Sequence, residues 1–357
     1  MNVKDMTLSQ ATAFISAVGT TNTVLLRGQP GIGKSSILRT LAASHPDYRV
    51  AYFDCANMDL GDVTMPVVNR ESMTTEYAPN ALFGVGKGQD TPVIIMLDEL
   101  GKCAKPVMNM LLPVMLERRV GSHSLPVGSI VFATTNMDTD GVGDNVPAHA
   151  MNRRTEIICT NPTTDEWLAW AAGNDVAPEI MMFAKDTPQA FDMYRDADGD
   201  ANPYIFNPKI GQTRQFCSPR SLEKASHIIK ARMGFDAEAL LSALAGTVGE
   251  AAARDIEANI SMLDALPRFT EIIADPKGTR VPTPEQPSAS FLLSFMLSGR
   301  MKPENVGAVV TYVERWTNSE AISLFLAMTC KSSAKVGFAM KHMPFTTLVS
   351  KHAKYFS

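Results

Sequence analysis

The sequence predicts an α/β fold built on a parallel sheet, followed by an all-helical region. Three observations carry that reading. Apolar runs of strand length alternate with helical patterns through residues 1–160. The segment Gly28-Gln29-Pro30-Gly31-Ile32-Gly33-Lys34-Ser35 sits between a strand pattern and a helix pattern. After Asn161-Pro162 the strand signal stops and helical periodicity takes over.

The elements follow in order. Thr7-Leu8-Ser9-Gln10 has capping-box spacing, and Ala11, Phe14, Ile15 and Val18 continue an apolar stripe that Gly19 is placed to end. Thr23-Val24-Leu25-Leu26 is the first sheet strand, and a helix is predicted over Lys34–Ala43. Val50–Phe53 reads as a second strand and Val93–Leu97 as a third, apolar on both faces as in a buried parallel strand. Pro106 opens a helix in which Pro113 should cause a kink or start a new turn. Ile130–Thr134 and Glu156–Cys159 complete the sheet.

Short helices are expected over 165–172 and 178–184, then a long Asp-, Asn-, Pro- and Gly-rich loop over 186–217. Ser218-Pro219-Arg220 opens a helix through Met233, and 237–263 reads as strongly helical. Four prolines between Asp275 and Ser288 suggest a linker, with short amphipathic helices beyond it. The expected segments are thus an α/β core over 1–160, a helical region over 161–265, a Pro-rich linker over 266–288 and a helical module over 289–357.

Composition narrows the class. A length of 357 residues suggests two or three domains, and 45% hydrophobic content is enough for a core. A net charge of −4 gives no global attraction to nucleic acid or anionic lipid. The five cysteines are dispersed, without C-x-x-C spacing, and suit reduced thiols. Residues 1–5 lack the pattern of a signal peptide, and no apolar run approaches the ~18 residues of a membrane span. A soluble, cytoplasmic protein is the expectation.

The chemistry starts at Gly28–Ser35, which is G-x-x-x-x-G-K-S in the setting a phosphate-binding loop requires. Its glycines let backbone N–H groups turn towards an anion, and the following helix adds its positive end. The loop residues Gly28, Gln29, Pro30, Gly31, Ile32 and Gly33, with Ser36 after them, are the candidate cradle for ATP. Lys34 can reach its β- and γ-phosphates, and Ser35 can place a hydroxyl on Mg²⁺. Asp98-Glu99 closes the third strand, where one carboxylate can hold Mg²⁺ and the next can polarise a water. Asn136, at the end of the fourth strand, offers a neutral amide for the same water or the γ-phosphate.

Gly28–Ser35, Asp98-Glu99, Thr134-Thr135-Asn136, Arg153 and Ser218-Pro219-Arg220 occur in the order found in AAA+ ATPases, which the chain resembles over about residues 20–235. The run from Asp98-Glu99-Leu100 to Leu111-Leu112-Pro113-Val114-Met115-Leu116-Glu117-Arg118-Arg119-Val120 resembles the MoxR branch, with Ser122–Pro126 as its short hairpin. Val146–Arg153 is similar to that branch's "LPxAxLDRF" stretch. The resemblance implies Lys34 on phosphate, Ser35 and Asp98 on Mg²⁺, Glu99 as catalytic carboxylate, and Asn136 as sensor 1. Arg220 corresponds to sensor 2. Arg153 corresponds to an arginine finger acting on a neighbouring subunit. Arg154 stands where the family usually has an apolar residue, so either arginine fits the finger. Cys217 and Pro113 also depart from the family pattern. The family implies a ring, most often a hexamer, with ATP at subunit interfaces. It also implies a separate client protein, often carrying a von Willebrand factor A domain, that the ring remodels or activates in a chaperone-like role. A loop in the region of Leu60–Pro66 lines the pore of hexameric relatives, and an ordinary connection fits those residues equally.

Two rival functions stand beside that one. A nucleic-acid motor or helicase loader is disfavoured by overall acidity, although five lysines and no acidic residue lie from Lys331 onward. A nucleotide-gated scaffold with little turnover is disfavoured by the intact Asp98, Glu99 and Asn136. Asp196-Ala197-Asp198-Gly199-Asp200 fails the spacing of a calcium loop, and a solvated loop is its better reading.

Overall fold

The structure is a computed structural model that describes residues 5–86, 88–137, 155–195, 199, 201–209 and 215–352. It divides into two compact units, Met1–Asn161 and Pro162–Ser357.

The first unit is built on a parallel sheet. Its strands are β1 (Asp5–Met6), β2 (Val24–Arg27), β3 (Arg49–Asp54), β6 (Val93–Asp98), β9 (Ile130–Thr135) and β10 (Thr155–Cys159), in the order β1-β10-β2-β9-β6-β3. Alternation along the strands feeds two cores. Leu25, Ile95, Leu97, Val131 and Ala133 pack on one face against helix α3 (Lys105–Glu117). Val24, Leu26, Ile94, Met96 and Phe132 pack on the other face with residues of α1 (Leu8–Val18) and α2 (Ser36–Ser44). Both faces of β6 are therefore covered, the physical reason its sequence is apolar from Val93 to Leu97.

Helix α1 starts with the expected capping box at Thr7 and Gln10. Gly19 ends it in ordinary right-handed conformation; the glycine is needed for space, because a Cβ there would lie 2.5 Å from the Ile15 carbonyl oxygen and 2.7 Å from Ile130 Cγ2. Of the two expectations at Pro113, a new turn is not what forms, since helix α3 runs as one segment from Lys105 to Glu117 with the proline inside it. Pro113 donates no N–H, but its carbonyl accepts the N–H of Arg118 at the helix end. The short hairpin expected over Ser122–Pro126 is present as β7 (Arg119–Val120) paired antiparallel with β8 (His123–Ser124). A second hairpin was not anticipated: β4 (Thr64–Asn69) pairs antiparallel with β5 (Thr74–Pro79), and most of its side chains are exposed. It takes up Thr64–Pro66 of the stretch read from sequence as either a pore-lining loop or an ordinary connection, and Leu60–Asp62 before it form a short 3-10 turn.

The second unit is helical among the described residues. Its helices are α4 (Thr164–Gly173), α5 (Pro178–Asp186), α6 (Pro219–Lys230), α7 (Ala237–Val248), α8 (Glu250–Asp264), α9 (Phe269–Ala274), α10 (Pro287–Arg300), α11 (Val306–Val313), α12 (Ser319–Lys331), α13 (Ser333–Ala339) and α14 (Met343–His352). The helical stretch expected over 237–263 is two helices broken at Gly249. This residue has φ +89°, and a Cβ on it would lie 2.7 Å from the Gln215 carbonyl oxygen. The segment expected as a linker over 266–288 is packed down. Ile272 of α9 is fully buried, Arg315 Nη1 donates to the carbonyls of Pro276 (2.7 Å) and Thr279 (2.8 Å), and the Tyr312 hydroxyl donates to that of Arg280 (2.7 Å). Prolines here shape a tethered turn; they do not release the chain. No helix among the described residues is long and apolar enough to cross a membrane.

Candidate functional site

In a parallel sheet all strands end on the same edge. The order β2-β9-β6 brings three C-terminal ends side by side, with Arg27 opposite Thr135 and Leu97 opposite Ala133. Residues far apart in sequence therefore meet just beyond that edge.

The loop after β2 turns through Gly31 (φ +82°) and Gly33 (φ +105°), conformations that L side chains resist. Lys34 is buried, and its ammonium donates to the carbonyls of Gly28 (2.6 Å) and Gln29 (3.0 Å) and to Asn136 Oδ1 (3.1 Å). Asn161 Nδ2 holds the Gln29 side chain at 3.1 Å. The Ser36 hydroxyl donates to the Gly33 carbonyl at 2.7 Å, and regular helix begins at Ser36, two residues after the expected start. A Cβ on Gly28 would come within 2.6 Å of Ile32 Cδ1, so the loop also packs closely on its own apolar residue.

Asp98 is the centre of the polar network. It is only 8% exposed. Its Oδ2 accepts from the Ser35 hydroxyl (3.1 Å) and the Tyr52 hydroxyl (2.9 Å), and its Oδ1 accepts a short bond from the Thr134 hydroxyl. Three donors on one carboxylate offset much of the cost of burying its charge. Burial, reinforced by the hydrogen bond to Asp98, pushes the Tyr52 phenol well above its ordinary range, so it stays a donor.

Glu99 follows in left-handed conformation, φ 53° and ψ 39°. Its backbone N–H donates to the Thr134 hydroxyl at 3.3 Å, and its carboxylate pairs with Lys102 Nζ at 2.8 Å. The Glu99 side chain is 40% exposed, so it faces open space while Asp98 stays covered.

The structure thus brings Lys34, Ser35, Asp98, Glu99 and Asn136 to one edge. Arg220 is exposed near the start of α6, whose Ser218 side chain caps the helix. It belongs to the second unit. Arg153 and Arg154 lie outside the described residues. Tyr52, Thr134, Lys102 and Asn161 were not singled out from sequence. Thr134 was flagged only as a neighbour of Asn136, and Tyr52 reads as an ordinary strand residue until register puts β3 beside β6.

Residues 23–127 match the AAA domain of the dynein-related subfamily. This segment is an AAA+ domain. That class binds nucleotide, which accords with the glycine loop and the buried lysine. No curated protein matches the chain. Among solved structures, it is similar to NtrX from Brucella abortus in complex with ADP, at 14% identity over 88% of this chain and 64% of that one, with a TM-score of 0.40. It is also similar to the RuvB Holliday junction branch migration motor of Thermotoga maritima, at 14% identity over 75% of this chain and 74% of that one, with a TM-score of 0.37. The chain spans less than two thirds of the length of that NtrX structure.

The donor set of the AAA+ domain fits a nucleotide phosphate with a divalent cation. A hydroxyl and a carboxylate, Ser35 and Asp98, already touch each other, and hard oxygen donors of this kind suit Mg²⁺. One ammonium, Lys34, spans from the loop to Asn136 and so marks where negative charge is best accepted.

Proposed function

We propose that this protein binds ATP with Mg²⁺ at the C-terminal edge of β2, β9 and β6 and hydrolyses it. We propose further that it does so in a ring that remodels or activates a separate partner protein, as in the MoxR branch it resembles. The observation that carries the reading is the contact of Lys34 with Asn136 and of Ser35 with Asp98, which joins three strands into one polar site.

Each residue has a role that follows from its chemistry. Lys34 exchanges neutral acceptors for phosphate oxygens, a stronger, charge-assisted partner set. Ser35 and Asp98 would hold Mg²⁺, which when bound supplies neutralisation of phosphate charge. Asp98 keeps its carboxylate oriented through Tyr52 and Thr134. Glu99, exposed where Asp98 is not, orients the attacking water and accepts its proton. Asn136 fixes the geometry of that water or of the γ-phosphate. Arg153 or Arg154 would act on a neighbour's nucleotide, which makes turnover depend on assembly, and Arg220 would correspond to sensor 2 of a helical lid.

The experiment is a measurement of ATPase rate against protein concentration, paired with light scattering. A rate per subunit that rises as the mass grows towards a ring supports the reading. Mixing Arg153→Ala with Glu99→Gln subunits should recover part of the activity, with Arg154→Ala mixtures deciding between the two arginines. A concentration-independent rate from a monomer would remove the ring, and unchanged nucleotide binding in Lys34→Ala would remove the site.

A further inference from the structure

Within the second unit two surfaces carry opposite charge and bare apolar side chains. The first is a groove of about 280 Å³ beside α7 and α8. Leu240, Leu244 and Ile260 line it, and Met233 (93% exposed) and Phe235 (46% exposed) stand at its rim. The acidic side chains Asp236, Glu257 and Asp264 also line it. Among the described residues its one lining cation is Arg232, already engaged by Glu179 (3.0 Å) and by Asp264, so it does not cancel the remaining acids. Over residues 236–264 six acidic residues face a single Arg254 in sequence.

The second surface is the C-terminal stretch. From Lys331 onward there are five lysines and no Asp or Glu. Lys331, Lys341 and Lys351 are exposed, and Lys335 turns to the Ala172 carbonyl at 3.5 Å. Met340 (46% exposed) and Met343 (80% exposed) project between these lysines at the start of α14. Phe345 and Leu348 anchor that helix in the core, so its outer face is held in place. Unbranched methionine side chains are well suited to filling an apolar groove lined by leucines.

We infer that the acidic groove of one copy receives the basic, methionine-bearing C-terminal surface of a second copy. The two patches are on different elements of the same unit, and the contact is taken as head-to-tail because a two-fold pair that satisfied both patches at once would stop at a dimer. Such a contact propagates and closes into a ring when its rotation permits. Charge complementarity selects the pairing and its register, and the exposed Met233, Phe235, Met340 and Met343 provide the apolar area. The inference rests on the proposed assembly into a ring and adds surfaces of the second unit that take part in it.

The test is sedimentation velocity of the full chain across a salt series, with and without ATP and Mg²⁺. Glu257→Lys and Lys341→Glu should each raise the concentration needed for assembly by about tenfold or more at low salt, because each juxtaposes like charges. The double variant should recover most of that loss. Met233→Ser and Met343→Ser, at side chains too exposed to carry folding, should weaken assembly without changing the circular dichroism spectrum. Assembly that persists unchanged in all of these variants overturns the groove-to-tail contact and leaves the ring reading standing. A wild-type chain that stays monomeric under every condition overturns both. Weakening by the groove variants alone, with no effect of the tail variants, overturns the C-terminal surface as the occupant and assigns the groove to another surface of the second copy.

Discussion

Two turns in the first unit place a long charged residue in the same left-handed conformation. Glu99 follows β6 at φ 53°, and Arg118 follows α3 at φ 54°. Each conformation costs about 1–2 kcal/mol for a residue with a Cβ, so each must be held by something. Arg118 is held by covered contacts: its guanidinium donates to the carbonyls of Gly19 (3.0 Å), Thr20 (3.3 Å) and Met115 (2.6 Å) and to Thr23 Oγ1 (2.7 Å). It ties the end of α3 to the entry of β2, and burial lowers its pKa without threatening its charge. Glu99 is held through its backbone N–H on Thr134 and one exposed ion pair, while its carboxylate remains accessible. The same strain serves anchoring in one place and presentation in the other.

That contrast can be tested from its largest effect downward. Glu99→Gln should lower ATP hydrolysis by roughly 10²–10⁴-fold, with nucleotide affinity kept, as read by phosphate release and fluorescence titration. If hydrolysis were unchanged, Glu99 would be only a second structural turn. Arg118→Ala should cost about 1–3 kcal/mol by denaturant unfolding, since it removes the guanidinium's hydrogen bonds at one part-buried turn, while the Gly19 carbonyl keeps the Val131 N–H and the Met115 carbonyl keeps the Thr23 hydroxyl. Arg118→Gly should be the milder change by about 1 kcal/mol, because glycine accepts the conformation. An equal loss in both variants would show that backbone strain plays no part at this turn. Tyr52→Phe should cost about 1 kcal/mol of stability by removing one donor from Asp98, and a larger loss of hydrolysis than of nucleotide binding would place it in the orientation of that carboxylate. Lys102→Ala should change stability by less than about 1 kcal/mol, as expected of an exposed pair. A severe loss there would mean the ion pair, and not Thr134, fixes the Glu99 turn.

The sheet was legible because each signal was local: β6 is apolar from Val93 to Leu97, and the loop after β2 has fixed spacing. The meeting of Ser35, Asp98, Lys34 and Asn136 was legible as a pattern of residue types, but their hydrogen bonds were not. Tyr52 and Asn161 escaped because only register and chain return bring them to the site. Hairpin β4–β5 escaped because Pro66 and Pro79 argue locally against strands, and cross-strand pairing with exposed faces prevails over them. Gly249 was readable as a residue but not as a break, since its demand for space comes from the Gln215 carbonyl, distant in sequence. In the same way the prolines of 275–288 signalled irregular backbone correctly, while the anchoring by Arg315 and Tyr312 came from a later helix.

The strand order has a consequence for the history of each molecule. β2, which leads into the glycine loop, hydrogen-bonds only to β9 and β10 within the sheet. During synthesis it leaves the ribosome more than a hundred residues before either partner exists. The lysine-bearing loop therefore waits on closures of more than a hundred residues, and contacts of that separation in sequence form late. A chain that stalls before residue 130 would carry the glycine loop intact in sequence and have no sheet in which to fix it.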